Sequence, residues 1–237
     1  MFEFAVGVFI FAFIWLIGFL LREDLRKPMI WSGLVYATLL LTVHIMWLIS
    51  KNFIDFGPNI VTGYWNPDTF FDLSRRTGGL GIEDILFMFF VGGISLYLYE
   101  LIFKRKIKFK INYKHHIRVF IILLISFFIF GAIFKLALIY VLIISSFIGA
   151  LVIWIERKDL IKQSLYGGMI FLIVYILGFF IFNIIFSDFI MQTYNLNNLL
   201  GLIYLGVPIE EYLYALSFGL LWTPIYEYEH EAKDVKK

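Results

Sequence analysis

Six long stretches of this chain are almost free of charge, and their lengths define the architecture. Apolar residues fill 2–21, 29–50, 82–103, 164–186 and 199–223, without the continuous polar face of an amphipathic surface helix. Each run is close to the ~20 residues that a helix needs to cross ~30 Å of hydrocarbon. The stretch 117–154 is too long for one crossing and divides into two shorter helices at a break near Gly131 to Lys135. The pattern predicts an all-α integral membrane protein with seven transmembrane helices, since helices satisfy their own backbone groups in lipid.

Composition agrees with lipid as the main solvent. Hydrophobic residues make up 61% of 237 positions and charged residues 16%, against about a quarter in a soluble domain. The absence of cysteine excludes disulfides, thiolate metal sites and thiol nucleophiles. The first run is too long for a signal-peptide core and lacks both a basic leader and a small-residue cleavage site, so it is expected to stay as the first helix.

Charge distinguishes between possible topologies. With seven crossings, 16 of the 20 Lys and Arg fall on one side of the membrane, including the run Lys104, Arg105, Lys106, Lys108, Lys110, Lys114 and Arg118. Only Lys51, Arg75, Arg76 and Lys135 fall on the other. The positive-inside rule then puts the N-terminus outside and the C-terminus in the cytoplasm. The basic run is read as the longest cytoplasmic loop, not as a nucleic-acid surface; no nucleic-acid partner is expected.

The chain also repeats itself. Thr77–Glu100 laid over Tyr204–Glu227 at an offset of 127 matches Gly79, Ile82, Glu83, Leu86, Gly92, Tyr99 and Glu100 with identical residues, without a gap. Upstream, helices 1 and 5 end in similar charged turns, Arg22-Glu23-Asp24-Leu25 and Glu156-Arg157-Lys158-Asp159-Leu160, and Trp65-Asn66 has a counterpart in Tyr194-Asn195. The predicted organisation is therefore a first three-helix unit (1–103), a basic loop with a connecting helix (104–134), a second unit (135–227) and a cytoplasmic tail (228–237). Three helices plus one connector make the two units parallel, related by an axis along the membrane normal. Both copies of the acidic segment then enter the bilayer from the same side.

Those segments carry the candidate chemistry. Glu83-Asp84 and Glu210-Glu211 open the third and seventh predicted helices. An acid at a helix N-terminus is favoured by the dipole, which offers capping as a plain explanation. Capping needs one acid, however, and both copies hold two, each followed at once by apolar helix. Carboxyls drawn into a bilayer are costly and usually functional. Neighbours on a helix point about 100° apart, so one acid of each pair can face the bundle interior while the other bonds elsewhere.

Other polar groups are fewer. His44, deep in the second helix, is a packing residue, an acid's partner or a proton carrier. Asn183, Asn66 and Asn195 could hold carboxylates. Glu100 and Glu227 read as structural, with Lys104 four residues from Glu100 as a helix-surface pair. Aromatics near the acids, among them Trp65, Phe87, Tyr194, Tyr212 and Tyr214, could stabilise a cation through their ring faces. No phosphate-cradling glycine loop, dinucleotide fingerprint or metal-ligand spacing appears, and the last helix has no lysine for a Schiff base.

Two three-helix units, each opening its third helix with Pro-x-Glu-(Glu/Asp) or a variant of it, resemble the membrane lycopene cyclase family. The likeness covers nearly the whole chain and is sharpest at Gly206-Val207-Pro208-Ile209-Glu210-Glu211-Tyr212-Leu213-Tyr214; in the first unit Gly81 stands where the proline would be. The resemblance implies a redox-neutral, lycopene β-cyclase-like isomerisation without a nucleotide cofactor. It acts on a carotenoid drawn from the bilayer, with other carotenoid-pathway enzymes as possible partners. It implies that Glu83, Asp84, Glu210 and Glu211 are catalytic. Glu210 with Glu83 would supply acid and base, in either order, while Glu211 and Asp84 orient or reprotonate them. It makes Trp65, Phe87, Tyr194, Tyr212, Tyr214 and His44 candidates for substrate binding. The rival class is a parallel-repeat carrier or lipid-binding protein that uses the acids as a proton or cation site. Carriers interrupt helices at mid-bilayer, whereas the Gly and Pro here stand at helix starts.

Overall fold

A computed structural model describes residues 3–56, 63–108 and 117–236 of the chain. Lys110 and Lys114 of the basic loop therefore lie outside the described residues. The protein is an all-α membrane protein. Five helical segments among the described residues are long and apolar enough to cross a bilayer: Glu3–Leu21, Glu23–Ser50, Ile82–Ile102, Leu138–Glu156 and Lys158–Ile185.

In chain order the helices are α1 (Glu3–Leu21), α2 (Arg26–Ser50), the short α3 (Leu73–Thr77), α4 (Ile82–Ile102), α5 (Arg118–Phe128), α6 (Leu138–Glu156), α7 (Ile161–Ile185), the short α8 (Phe189–Thr193), α9 (Ile209–Trp222) and α10 (Ile225–Glu229). The expected division of 117–154 is present. A π-turn over Ile129–Ile133 ends α5, Lys135 takes a left-handed φ of 51°, and α6 starts at Leu138. The run 199–223 is not one helix. Gly206, at φ 75°, lets Ile203–Tyr204 fold back on Val207–Pro208 as a small hairpin, and α9 begins only after Pro208. Thr223 and Pro224 then separate α9 from α10.

Packing follows one scheme twice. α4 lies against α1 and α2, and α9 lies against α6 and α7. Small residues permit each close crossing: a Cβ on Gly92 would stand 3.3 Å from the Gly33 Cα, and one on Gly219 would stand 2.8 Å from the Gly168 Cα. In lipid, where burial gains little, such close contact is a main source of helix association.

The same duplication appears at the opposite end of the bundle from the acid pairs. Arg22 donates to the carbonyls of Glu100 and Arg105 at 2.6 Å each. Arg157 donates to those of Glu227 (3.1 Å) and Ala232 (2.9 Å). Beyond them Arg105–Lys108 pairs antiparallel with Lys233–Lys236. Glu100 is not a surface residue: it and Glu227 are fully buried, and one amide, Gln163 Nε2, donates to both at 2.8 and 2.9 Å. The helix-surface pair with Lys104 gives way because α4 is covered there by α7, which brings Gln163 with it.

Candidate active site

The loops preceding α4 and α9 meet at the other end. Trp65 and Tyr194 form an antiparallel bridge, with Asn66 N–H donating to Thr193 O at 3.2 Å and Asn195 N–H to Tyr64 O at 3.1 Å. The two aromatic–Asn pairs thus hold each other through their backbones and present Tyr64, Trp65 and Tyr194 inward. Asn183 does not reach a carboxylate; its amide donates to Gly206 O at 2.9 Å and braces the hairpin before α9.

All four acids are buried, yet they divide into two kinds. Glu83 accepts the Phe70 N–H at 2.6 Å, and Glu210 accepts the Leu200 N–H and the Tyr140 hydroxyl at 2.7 Å each. In both, Oε1 takes these bonds and Oε2 has no partner. Each first acid therefore ties the preceding loop to its helix. Neither lines the cavity.

Asp84 and Glu211 do line it. Asp84 Oδ2 accepts the Gly81 N–H at 2.7 Å, and its Oδ1 accepts Trp65 Nε1–H at 3.2 Å. Glu211 takes three phenol donors: Tyr64 and Tyr194 (3.1 Å) on Oε1 and Tyr175 (2.8 Å) on Oε2. An ionised carboxylate only accepts, so three O–H groups aimed at it match that form. Burial pushes the Tyr64 and Tyr194 phenols well above their ordinary pKa, so both remain O–H donors.

The cavity, about 110 Å³, is walled by Phe4, Phe11, Phe87, Tyr175, Phe179 and Tyr214. Its rings meet mainly edge-on or tilted, as in Phe11–Phe87 at 5.0 Å and Phe4–Trp65 at 5.1 Å. Ring faces and edges therefore surround a space in which, among the described residues, Asp84 and Glu211 are the acidic groups. Such a space can stabilise a transient carbocation and move a proton at either side of it.

Of the sequence candidates, Trp65, Phe87, Tyr194, Tyr214 and His44 line this cavity together with Asp84 and Glu211. His44 Nε2 lies 3.0 Å from Thr77 O, so this nitrogen carries the proton and His44 bonds a carbonyl, not an acid. Tyr212 is not brought in: it stands one helical step from Glu211, and its hydroxyl reaches outward to Tyr204 O at 2.9 Å. Of the four acids, the cavity lining takes in Asp84 and Glu211 and leaves out Glu83 and Glu210. The 100° step along each helix turns the second acid toward the cavity and the first toward its loop.

Sequence reasoning missed Tyr175 and Tyr140. The signal for Tyr175 was a single phenol inside an otherwise apolar membrane run, Ile170 to Phe182, where a hydroxyl must find a partner. Tyr140 carried the same signal, a single phenol in the apolar run Leu136 to Ile155, and its partner Glu210 likewise lies on another helix. No curated protein and no solved structure matches the chain. A family model described as lycopene cyclase matches residues 3–102 and 137–229, one segment in each half and most of the chain between them. The chain belongs to the lycopene cyclase family.

Proposed function

We propose that the protein cyclises the linear ψ-ends of lycopene to rings by acid–base catalysis inside the membrane, with Asp84 and Glu211 as the acid–base pair. The observation that carries this reading is a single aromatic-walled cavity lined by one carboxyl from each of two like helix starts. The Asp84 carboxyl protonates the terminal double bond. The neighbouring double bond attacks the resulting tertiary cation and closes the ring. The Glu211 carboxylate removes a ring proton, which restores a double bond. Nothing is oxidised or reduced, and return of the proton from Glu211 to Asp84 resets the pair. Glu211 is the base because its three phenol donors favour the charged form, whereas Asp84 receives only two N–H bonds.

The same reading takes α5 with its π-turn, and α9 with α10, as crossings beside the five longer helices, which makes seven. It puts the acid pairs at the outer face and the basic loop in the cytoplasm, with two parallel units joined by α5. The recurring Arg22 and Arg157 contacts and the two glycine crossings support it. The polyene enters from the bilayer, and no nucleotide is required.

The test is expression in lycopene-accumulating bacterial cells, with pigments separated by chromatography. The wild type is expected to give monocyclic or bicyclic product, and Asp84→Asn or Glu211→Gln to leave lycopene. Unchanged lycopene with well-inserted wild type refutes the reaction; product from both variants refutes the residue assignment.

A further inference from the structure

A second cavity continues the first along the bundle. It is lined by Tyr36 of α2, Leu123 of α5, Val141 of α6, and Phe218, Leu221 and Trp222 of α9. The two share Leu40, Val43, Phe127, Leu138 and Leu142, so they adjoin across these residues and together define a path along the bundle. Glu211 and Trp222 are eleven residues apart on α9, and at 1.5 Å per residue the path runs about 16 Å from the acids. That is roughly half the hydrocarbon thickness of a bilayer.

Three features show what the path holds. Its floor is a ladder of ring faces: Tyr36 lies 4.6 Å from Phe218 and 4.7 Å from Trp222, and Phe218 stacks on Trp222 at 5.4 Å with a 16° interplanar angle. Two small residues, Ser145 and Ser146, take wall positions on α6 where larger apolar side chains would close the space. Ser145 is 95% buried and its hydroxyl has no hydrogen-bond partner among the described residues, although it lines the path. An apolar chain rich in π-electrons fits all three, since it stacks on rings and offers a weak acceptor to a hydroxyl. On the lipid side the wall is α5, which packs along α6 and touches α2 little.

We propose that this second cavity seats the conjugated chain of the substrate that trails the reacting end, and that the chain enters sideways from the lipid between α2 and α5. This rests on the cyclase reading and adds a determinant of substrate length: the acids act on an end group, while the groove grips the polyene behind it.

The test compares two substrates on purified protein in lipid nanodiscs: lycopene, and a truncated linear apocarotenoid that keeps one ψ-end but is too short to reach Ser145. The wild type converts both. Ser145→Phe, which plugs the groove, is expected to lower lycopene turnover at least tenfold relative to the truncated substrate. Leu123→Trp, which narrows the groove from α5, is expected to shift the ratio the same way. An unchanged ratio in both variants overturns the proposal, whether absolute activity is kept or lost. A wild type inactive on both substrates refutes the cyclase reading, and this inference with it.

Discussion

The acid pairs of the two halves share a division of labour and differ in how it is enforced. In both, the first acid binds a loop N–H and the second lines the cavity. The difference lies one residue before each helix. Gly81 has an N–H and gives it to the Asp84 side chain three residues on; Pro208, its equivalent, has none to give. Glu211 is thereby released from its own helix terminus and is met by Tyr64, Tyr175 and Tyr194 instead. The departure of Gly81 from the proline of the motif is thus what makes two like sites unequal. Two carboxyls in one cavity need such an inequality if one is to give a proton while the other takes it.

The largest expected effect separates the members of each pair. Asp84→Asn and Glu211→Gln should each lower cyclisation by about 10²–10⁴-fold, the usual range for general acid–base groups, measured as cyclic product per unit of inserted protein. Glu83→Gln and Glu210→Gln keep an oxygen for the loop N–H and should stay within about tenfold of the wild type. Glu83→Ala, which leaves the Phe70 N–H without its acceptor, should cost about 1–3 kcal/mol in thermal unfolding. The opposite ranking of the glutamine variants would return the chemistry to the first acids.

Next comes the residue before each helix. Gly81→Pro removes the donor to Asp84. It also brings a Cβ to 2.7 Å from Thr69 Cγ2 and 2.9 Å from Glu83 Oε2. Gly81→Ala has the same Cβ crowding and keeps the N–H, so the ratio of the two variants reports the lost hydrogen bond together with the proline ring's constraint on a φ of −99°. A bond to a carboxyl that is kept protonated is worth about 0.5–1.5 kcal/mol, which predicts an activity ratio of roughly 2–10-fold in favour of alanine. Equal activities would mean that the Gly81 bond does not distinguish the two halves. The phenol side is tested by Tyr175→Phe and Tyr64→Phe, each expected to cost roughly tenfold or more by leaving Glu211 one donor short. Trp65→Phe on the Asp84 side should cost less, because its N–H···O contact is long at 3.2 Å.

Much of this comparison was legible before any coordinates. Apolar run lengths marked the five long helices, and the tandem acids stood out because carboxyls are rare in hydrocarbon. Trp65-Asn66 and Tyr194-Asn195 were visible as a matched pair, though not that each binds the other. The member of each acid pair that faces the cavity was not legible. Adjacent residues have equal claims until neighbouring helices fix the rotation of α4 and α9. The burial of Glu100 and Glu227 was hidden for a similar reason. A nearby lysine is a local feature that sequence displays, whereas Gln163 arrives from a helix more than 60 residues away. The hairpin before α9 was masked by its own apolarity, since Leu199 to Val207 reads as helix until Gly201 and Gly206 are given their left-handed φ.

The smallest expected effect tests the comparison most closely, because it falls inside the motif itself. Tyr212 follows Glu211 directly and is an obvious candidate for a cation-stabilising ring. Its side chain nevertheless leaves the helix about 100° away from that of Glu211 and ends on Tyr204 O outside the cavity. Tyr212→Phe removes only this half-exposed bond, worth about 1 kcal/mol, and should leave turnover within roughly threefold of the wild type. Tyr214→Phe is the matched control, two residues further and on the cavity. Its hydroxyl is 2.7 Å from that of Tyr36 where the two cavities join, so its removal strips a buried polar pair of one member. If catalysis followed the motif as a string of residues, the two substitutions would be equally harmful. If it follows the rotation of α9, only the second should slow the reaction. A Tyr212→Phe enzyme as impaired as Tyr175→Phe would show that α9 presents a different face to the substrate, and the assignment of Glu211 would fall with it.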